Sequence, residues 1–380
     1  IFTSEDTKYF FKLQRVPTPP PESTEPAVYL QRSSADKQEL YLASLDNAIN
    51  WQYAVDTSLE TGETQTFVLS GPWTAEANSS YTTAFGTTSA FVNGALYVPN
   101  GAKIVLDLSG NQLNRNLATE RAGGYVIYVE GELTITDSSG NHAGLITGGN
   151  NSSSSSAGGI HVYKSGKLSL VGVTITGNTG KANTATAGAI YVGGTLEFDN
   201  STVTGNTGTS TGGIYIASSG TFNLNSGAVD QNTATGSSGG GVYTAGAFNM
   251  KGGSVNKNYG TAGGVYVANG GTFTLENGTV NENTGNSAGG VFVYSSASAS
   301  FIMQGGSVSN NRATSAGGAY IAGNAEITGG EIKGNTAEGA VDVDSGGSGL
   351  YIAGSGLGTV TGSVITEHGG VNGVRVYSSG

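Results

Sequence analysis

One phrase recurs through most of this chain and restricts what it can fold into. Gly263-Gly264-Val265-Tyr266-Val267 is followed by Gly271-Thr272-Phe273-Thr274-Leu275, then by Gly278-Thr279-Val280-Asn281-Glu282-Asn283-Thr284. The aliphatic–X–aliphatic first part is centred on Tyr97, Tyr128, His161, Tyr191, Tyr215, Tyr243, Tyr266, Phe292, Tyr320, Tyr351 and Arg375. Successive centres lie 23 to 33 residues apart. A period of this size is the mark of a stacked repeat architecture. Within each part the apolar residues alternate, which is the period of a strand and not of a helix.

In the second part Leu168 and Leu170, Leu196 and Phe198, Phe222 and Leu224, and Phe273 and Leu275 share one face. The third part carries one inward aliphatic, namely Ile175, Val203, Val229, Val255, Val280, Val308, Ile332 and Val364. Three short strands per turn, joined by links too short for a crossover helix, define a parallel β-helix. The expected fold is therefore all-β, a right-handed parallel solenoid of about 11 coils. One coil cannot bury its own apolar face, so the stack forms cooperatively.

Asn178, Asn206, Asn232, Asn258, Asn283, Asn311 and Asn335 each lie three residues after a third-part aliphatic. They are expected to form a buried ladder at a corner, because Asn tolerates left-handed backbone and hydrogen-bonds along a stack. The Gly pairs before most first strands suit positive φ and close approach of neighbouring coils.

Outside the repeat, residues 1–40 form an extended Pro-rich arm. Pro17, Pro19, Pro20, Pro21 and Pro26 stiffen it, and strand-like pieces flank them. Its candidate contact residues are Phe10, Phe11, Leu13, Val28, Tyr29 and Leu30. Val28-Tyr29-Leu30 echoes the first strand of the repeat. The arm reads either as a linker or as a strand added to a neighbour. Residues 41–63 hold a helix over about 44–60, with Leu45, Ala48, Ile49, Val55 and Leu59 at helical spacing, Ser44 to cap it and Gly62 to stop it. It is placed to close one end of the solenoid, which fills 64–380, with Trp51 and Trp73 as packing residues. Segments 115–123, 150–157 and 337–347 are expected to be surface loops. The chain ends at Tyr377-Ser378-Ser379-Gly380, directly after a first-strand motif. Further chain or another subunit is expected to cover that edge.

Composition narrows the function. Charged residues are 11%, against about 25% in ordinary globular proteins. The net charge is −11 and no basic patch is interleaved with aromatics, so nucleic acid is not an expected partner. There is no cysteine, and no apolar run approaches the roughly 20 residues of a membrane span. The first residue is Ile1, which fits removal of a targeting segment. Richness in Ser, Thr, Asn and Gly with few charges suits an exported surface protein.

The phrases Leu106-Asp107-Leu108-Ser109-Gly110-Asn111 and Gly131-Glu132-Leu133-Thr134-Ile135-Thr136-Asp137 resemble the right-handed β-helix repeats of large bacterial surface proteins. So does Gly-Gly-Val-Tyr-Val with its following Gly-Asn-Thr. In style they are similar to clostridial surface proteins and chlamydial polymorphic outer-membrane proteins, within the pectate-lyase-like fold group. The resemblance covers roughly residues 64–376 and implies a fold and a cell-surface setting. Enzymes of that group would imply an Asp cluster with a Lys or Arg base, or several Asp on adjacent strands. Here the outward first-strand residues are aromatic and no Asp-Asp pair occurs. Glu197 has no acidic partner at its position in adjacent coils, and Glu130 and Glu132 flank one corner. No catalytic residues, cofactor or metal are therefore expected. Asp342 and Asp344 have the alternation of a calcium loop but lack its closing Glu, so they read as a solvated loop.

The exposed feature with most promise is the outward aromatic row of Tyr97, Tyr128, Tyr191, Tyr215, Tyr243, Tyr266, Phe292, Tyr320 and Tyr351. It can be plain coil-to-coil packing, a platform for sugar rings, or a floor for the Pro-rich arm. The expected function is structural, with copies associating end to end into a surface fibre through the arm. An adhesin or glycan-binding stalk is the second reading, and a polysaccharide lyase or hydrolase the third.

Overall fold

The structure is a computed structural model that describes residues 11–12, 31–32, 47–75, 96–236, 238–339, 347–366, 368–369 and 373–377. Three parallel sheets of eleven strands each wind into a right-handed solenoid. The first sheet runs from Leu96–Val98 to Val374–Val376, the second from Gln65–Val68 to Leu357–Val360, and the third from Trp73–Thr74 to Val364–Thr366. One coil is Val265–Val267, Thr272–Leu275 and Thr279–Asn281 in succession. Each strand pairs in register with its counterpart one coil on, as Tyr191 does with Tyr215 and Tyr215 with Tyr243.

Alternation of the side chains explains the wall. Ile190 and Val192 point in and are fully buried, while Tyr191 between them is half-buried outside. Inside the second sheet the rings of Phe222, Phe248, Phe273 and Phe301 stack at 4.8 to 5.3 Å. These buried rings and the Leu, Ile and Val columns around them form one continuous core. Such burial is the dominant favourable term of folding.

A fourth sheet was not legible as a strand. Eight short strands, from Asn150–Asn151 to Thr336–Ala337, stack along the corner after the third sheet. Their inward residues are small, such as Gly208, Ala234 and Gly285. A Cβ on Gly285 would fall 1.7 Å from the carbonyl oxygen of Ala288. The turn is too tight for the large apolar residues that betray the other strands. The three expected strands of each coil are present, and this short fourth strand adds to them in eight coils. Residues 150–157 are likewise not plain surface loop, since Asn151 and Ser156 are buried. The Asn151 side-chain oxygen accepts from the N–H groups of Gly124 and Ser153, which explains its place inside.

The corner glycines are also reassigned. Gly212 and Gly264 do not have positive φ. They are there for clearance, because a Cβ on Gly264 would sit 2.6 Å from the Gly290 carbonyl oxygen of the next coil. At the last coil, Ile332 pairs with Ile365, and Val364 is exposed. The inward aliphatic there is therefore Ile365, not Val364.

A helix, Asn47–Thr61, packs against the first two strands of the second sheet. Its buried face is Trp51, Ala54, Val55 and Ser58, at helical spacing. Leu59, expected in that stripe, is 46% exposed. Trp51 meets Phe67 edge-on at 5.8 Å. Ser58 Oγ accepts the Lys103 N–H at 2.8 Å. Gly62, at φ +72°, ends the helix and donates its N–H to the Ser58 carbonyl. In the arm, Phe11–Lys12 pairs antiparallel with Gln31–Arg32. Phe10, Leu13, Val28, Tyr29 and Leu30 lie outside the described residues, as do Asp342 and Asp344.

Candidate functional surface: two ladders and an open pole

The Asn ladder is continuous. The Oδ1 of Asn206 accepts from both the N–H and the side-chain amide of Asn178, at 3.0 and 3.1 Å. The same pair of bonds repeats from Asn206 to Asn232, Asn258, Asn283, Asn311 and Asn335. The amide nitrogen of Asn258 also donates to the Val229 carbonyl, so the buried side chain is satisfied on both sides. The left-handed residue at each corner is the one before the Asn: Gly177, Gly205, Gln231, Lys257, Glu282, Asn310 and Gly334. The Asn is therefore selected for its amide and not for left-handed backbone. Two further groups join the ladder. Gly149 donates its N–H to Asn178 Oδ1 at one end. At the other, Asn335 donates its N–H to His368 Nδ1 at 3.3 Å. His368 lies three residues after Ile365 and holds the next Asn position; burial lowers its pKa.

The aromatic row is a stacked column. Tyr191, Tyr215, Tyr243, Tyr266, Phe292 and Tyr320 follow one another at 4.5 to 5.4 Å with interplanar angles of 5 to 24°. Tyr320 and Tyr351 are 4.9 Å apart but tilted, as Tyr97 and Tyr128 are at 5.8 Å. His161 does not interrupt the row. Its ring stacks on Tyr128 at 4.6 Å and on Tyr191 at 4.9 Å. Arg375 ends the row, its guanidinium 5.5 Å from the centre of the Tyr351 ring. Since every ring takes its position from a paired strand, the column follows directly from parallel in-register stacking.

Burial sets the electrostatics of this column. It drives His161 down to about 4, so the imidazole is neutral at pH 7, with Nδ1 3.1 Å from Ser156 Oγ. It pushes Tyr266 up to about 12, and raises Tyr128 and Tyr215 further. Tyr97 is raised by burial and by its hydrogen bond to Glu130, the hydroxyl donating at 2.6 Å. These rings are neutral packing elements across the physiological range. Their faces cover one another and leave edges to solvent. Tyr163, Tyr259, Tyr294 and Tyr377 lie exposed outside the column, Tyr163 and Tyr294 beside it.

Among the described residues, Glu197 and Glu132 are each engaged with a separate partner. Glu197 sits in register between Ser169 and Asn223, and accepts from the Asn223 amide at 2.6 Å. Glu132 pairs with Lys167 at 3.0 Å on the surface. Among the described residues no three His, Asp or Glu gather as a metal site would require. No described helix is long and apolar enough to cross a membrane.

The last described coil lays its interior bare. Val376 is 66% exposed, Val374 48% and Val360 40%. Their counterparts one coil earlier, Ile352, Leu350 and Ile327, are buried. Sequence alone pointed to an open edge here, but not to how much apolar surface it carries.

Comparison with protein-family models, with curated proteins and with solved structures found no match for this chain. The fold defines its class as a parallel β-helix repeat protein.

Proposed function

We propose that this chain is a non-catalytic structural protein of a bacterial cell surface, whose copies associate end to end through the N-terminal arm. The observation that carries this reading is the contrast between a covered N-terminal end and a last described coil whose inward Val360, Val374 and Val376 are exposed. A bared sheet edge with apolar residues is a template for pairing. A contact between two different ends does not close on itself and extends into a fibre. The sparse charge and the style of the repeat favour an extracellular setting.

Electron microscopy of the purified chain, with and without residues 1–40, tests this. Filaments that need the arm are expected. Single rods of roughly 50 Å, eleven rungs at about 4.8 Å each, in both samples would overturn it. A polysaccharide panel is expected to yield no new reducing ends and no unsaturated sugars.

The glycan-binding stalk keeps one supporting observation, the exposed rings of Tyr163 and Tyr294 beside the column. The column rings themselves suit sugars less well, because sugar stacking needs ring faces and these are covered by their neighbours. If the stalk reading holds, Tyr163→Ala weakens glycan binding more than Tyr266→Ala does.

A further inference from the structure

We propose that the edge strand Val374–Val376 receives the segment Val28-Tyr29-Leu30 of a second copy as one more parallel rung of the first sheet. The register is Val374 with Val28, Arg375 with Tyr29, and Val376 with Leu30. This rests on the end-to-end reading above and names its contact.

Three observations converge on it. The first sheet repeats an aliphatic–X–aliphatic strand eleven times, and X is Tyr or Phe in nine of them. Val28-Tyr29-Leu30 has that pattern and runs into Gln31–Arg32, which is already extended and paired with Phe11–Lys12. The edge it would meet is complementary. Val374 and Val376 are exposed with no described rung beyond them, whereas the equivalent Leu350 and Ile352 are buried beneath that strand. Finally, Arg375 stands over Tyr351 at 5.5 Å. A ring at Tyr29, one rung further on, would continue the column past the guanidinium, a pairing that Arg makes readily with aromatic faces.

Placement in trans fits the dimensions. The solenoid is roughly 50 Å long at about 4.8 Å per rung. The stretch from Leu30 to Asn47, where the helix begins, reaches at most about 60 Å when fully extended. A chain reaching its own far end would have to be nearly taut, whereas a copy stacked beneath presents its edge close by.

The chain has no cysteine, so introduced thiols report on position alone. A Tyr29→Cys chain is mixed with an Arg375→Cys chain under oxidising conditions, and filaments are scored in parallel by electron microscopy. Paired Cα atoms on adjacent rungs lie about 4.8 Å apart, within disulfide reach, and a one-residue slip turns the two side chains to opposite faces, so an efficient bridge reports the stated register. The expected result is a covalent dimer at least tenfold more abundant than from Val28→Cys with Arg375→Cys. Leu40-Tyr41-Leu42 carries the same pattern and provides the competing segment. Filaments that link through Tyr41→Cys, or that link through neither, overturn this contact and leave end-to-end association standing. Absence of filaments overturns both. A disulfide found only within single Tyr29→Cys/Arg375→Cys chains places the strand in its own molecule and overturns the proposal. Leu30→Pro lies outside the solenoid and removes a strand N–H. It is expected to reduce assembly at least tenfold, and unchanged assembly would contradict the proposal.

Discussion

At the N-terminal end a helix buries its own Trp51 against Phe67 and ties itself to Lys103 through Ser58. At the other end the inward residues Val376 and Val374 are 66% and 48% exposed, though Ile352 and Leu350, one coil earlier, are buried. Both ends terminate the same apolar column. A solenoid buries its interior only where a neighbouring coil exists, so each end must be closed by something that is not a repeat. The chain supplies that closure itself at one end. At the other, the described residues leave it to another element, and this difference directs the functional proposal.

The largest test of the comparison is a paired truncation. Trp51→Ala is expected to destabilise by about 3–5 kcal/mol, since it removes a buried aromatic and leaves a cavity over Phe67. Val376→Ala, at an inward position left 66% exposed, is expected to change stability by less than about 0.5 kcal/mol, as surface substitutions do. Urea unfolding of the arm-deleted chain, which keeps assembly out of the measurement, reads both. Comparable losses would mean that the C-terminal coil is closed by something in the same molecule, and the contrast between the ends would fail.

Acid provides the second test, because it acts inside the wall and not at an end. The folded His161 pKa is about 4, against about 6.5 unfolded. The unfolded state therefore binds more protons between those values, and stability falls as pH falls. The contribution is fully present above pH 6.5 and is lost progressively as pH drops through 4. It amounts to about 3 kcal/mol at about 1.4 kcal/mol per unit. Asp137 has the same sign. Burial alone would raise it, but hydrogen bonds from Ser139, Gly144 and Gly110 together hold it below the usual carboxylate range. At pH 7, hydrogen exchange is expected to open the C-terminal coil first. Near pH 4 a second opening is expected around His161, and His161→Phe, which keeps a ring in the stack, is expected to remove it. An acid response unchanged by that substitution would sink the assignment.

How much of this was legible follows from side-chain size. The three large sheets announce themselves because their inward residues are Val, Ile, Leu and Phe at period two, and the aromatic column follows from the same register. The fourth sheet hides because its inward residues are Gly and Ala, which carry no hydrophobic signal. The left-handed corner residues hide as well, since Gln231, Lys257 and Glu282 share no chemical feature there. The last rung was misread for a different reason. Val364 and Ile365 are adjacent aliphatics, and choosing Val364 as the inward one places Glu367 at the ladder position. Choosing Ile365 places His368 there, and a ring nitrogen that can accept a hydrogen bond was the available clue. Tyr163, Tyr294 and Tyr377 sit two residues after their strand centres, where other coils have Gly193, Ala217, Ala245 and Ala268, so they stand out only once the coils are aligned.

The smallest expected effect separates the middle of the Asn ladder from its C-terminal end. Asn258→Ala removes the acceptor for the Asn232 N–H and the donor to the Val229 carbonyl, all in the buried corner. Leaving such groups unsatisfied costs about 1–3 kcal/mol, so a loss of about 2 kcal/mol is expected. His368→Ala removes only the acceptor for the Asn335 N–H, a longer bond at 3.3 Å beside the open coil. Water can replace it there, and less than about 1 kcal/mol should be lost. If that replacement argument is right, the gap between the two substitutions closes once the C-terminal coil is covered. In assembled filaments His368→Ala should then approach the cost of Asn258→Ala, because the orphaned Asn335 N–H would no longer reach solvent. Measuring both variants with and without assembly therefore asks whether the two ends remain different when copies meet.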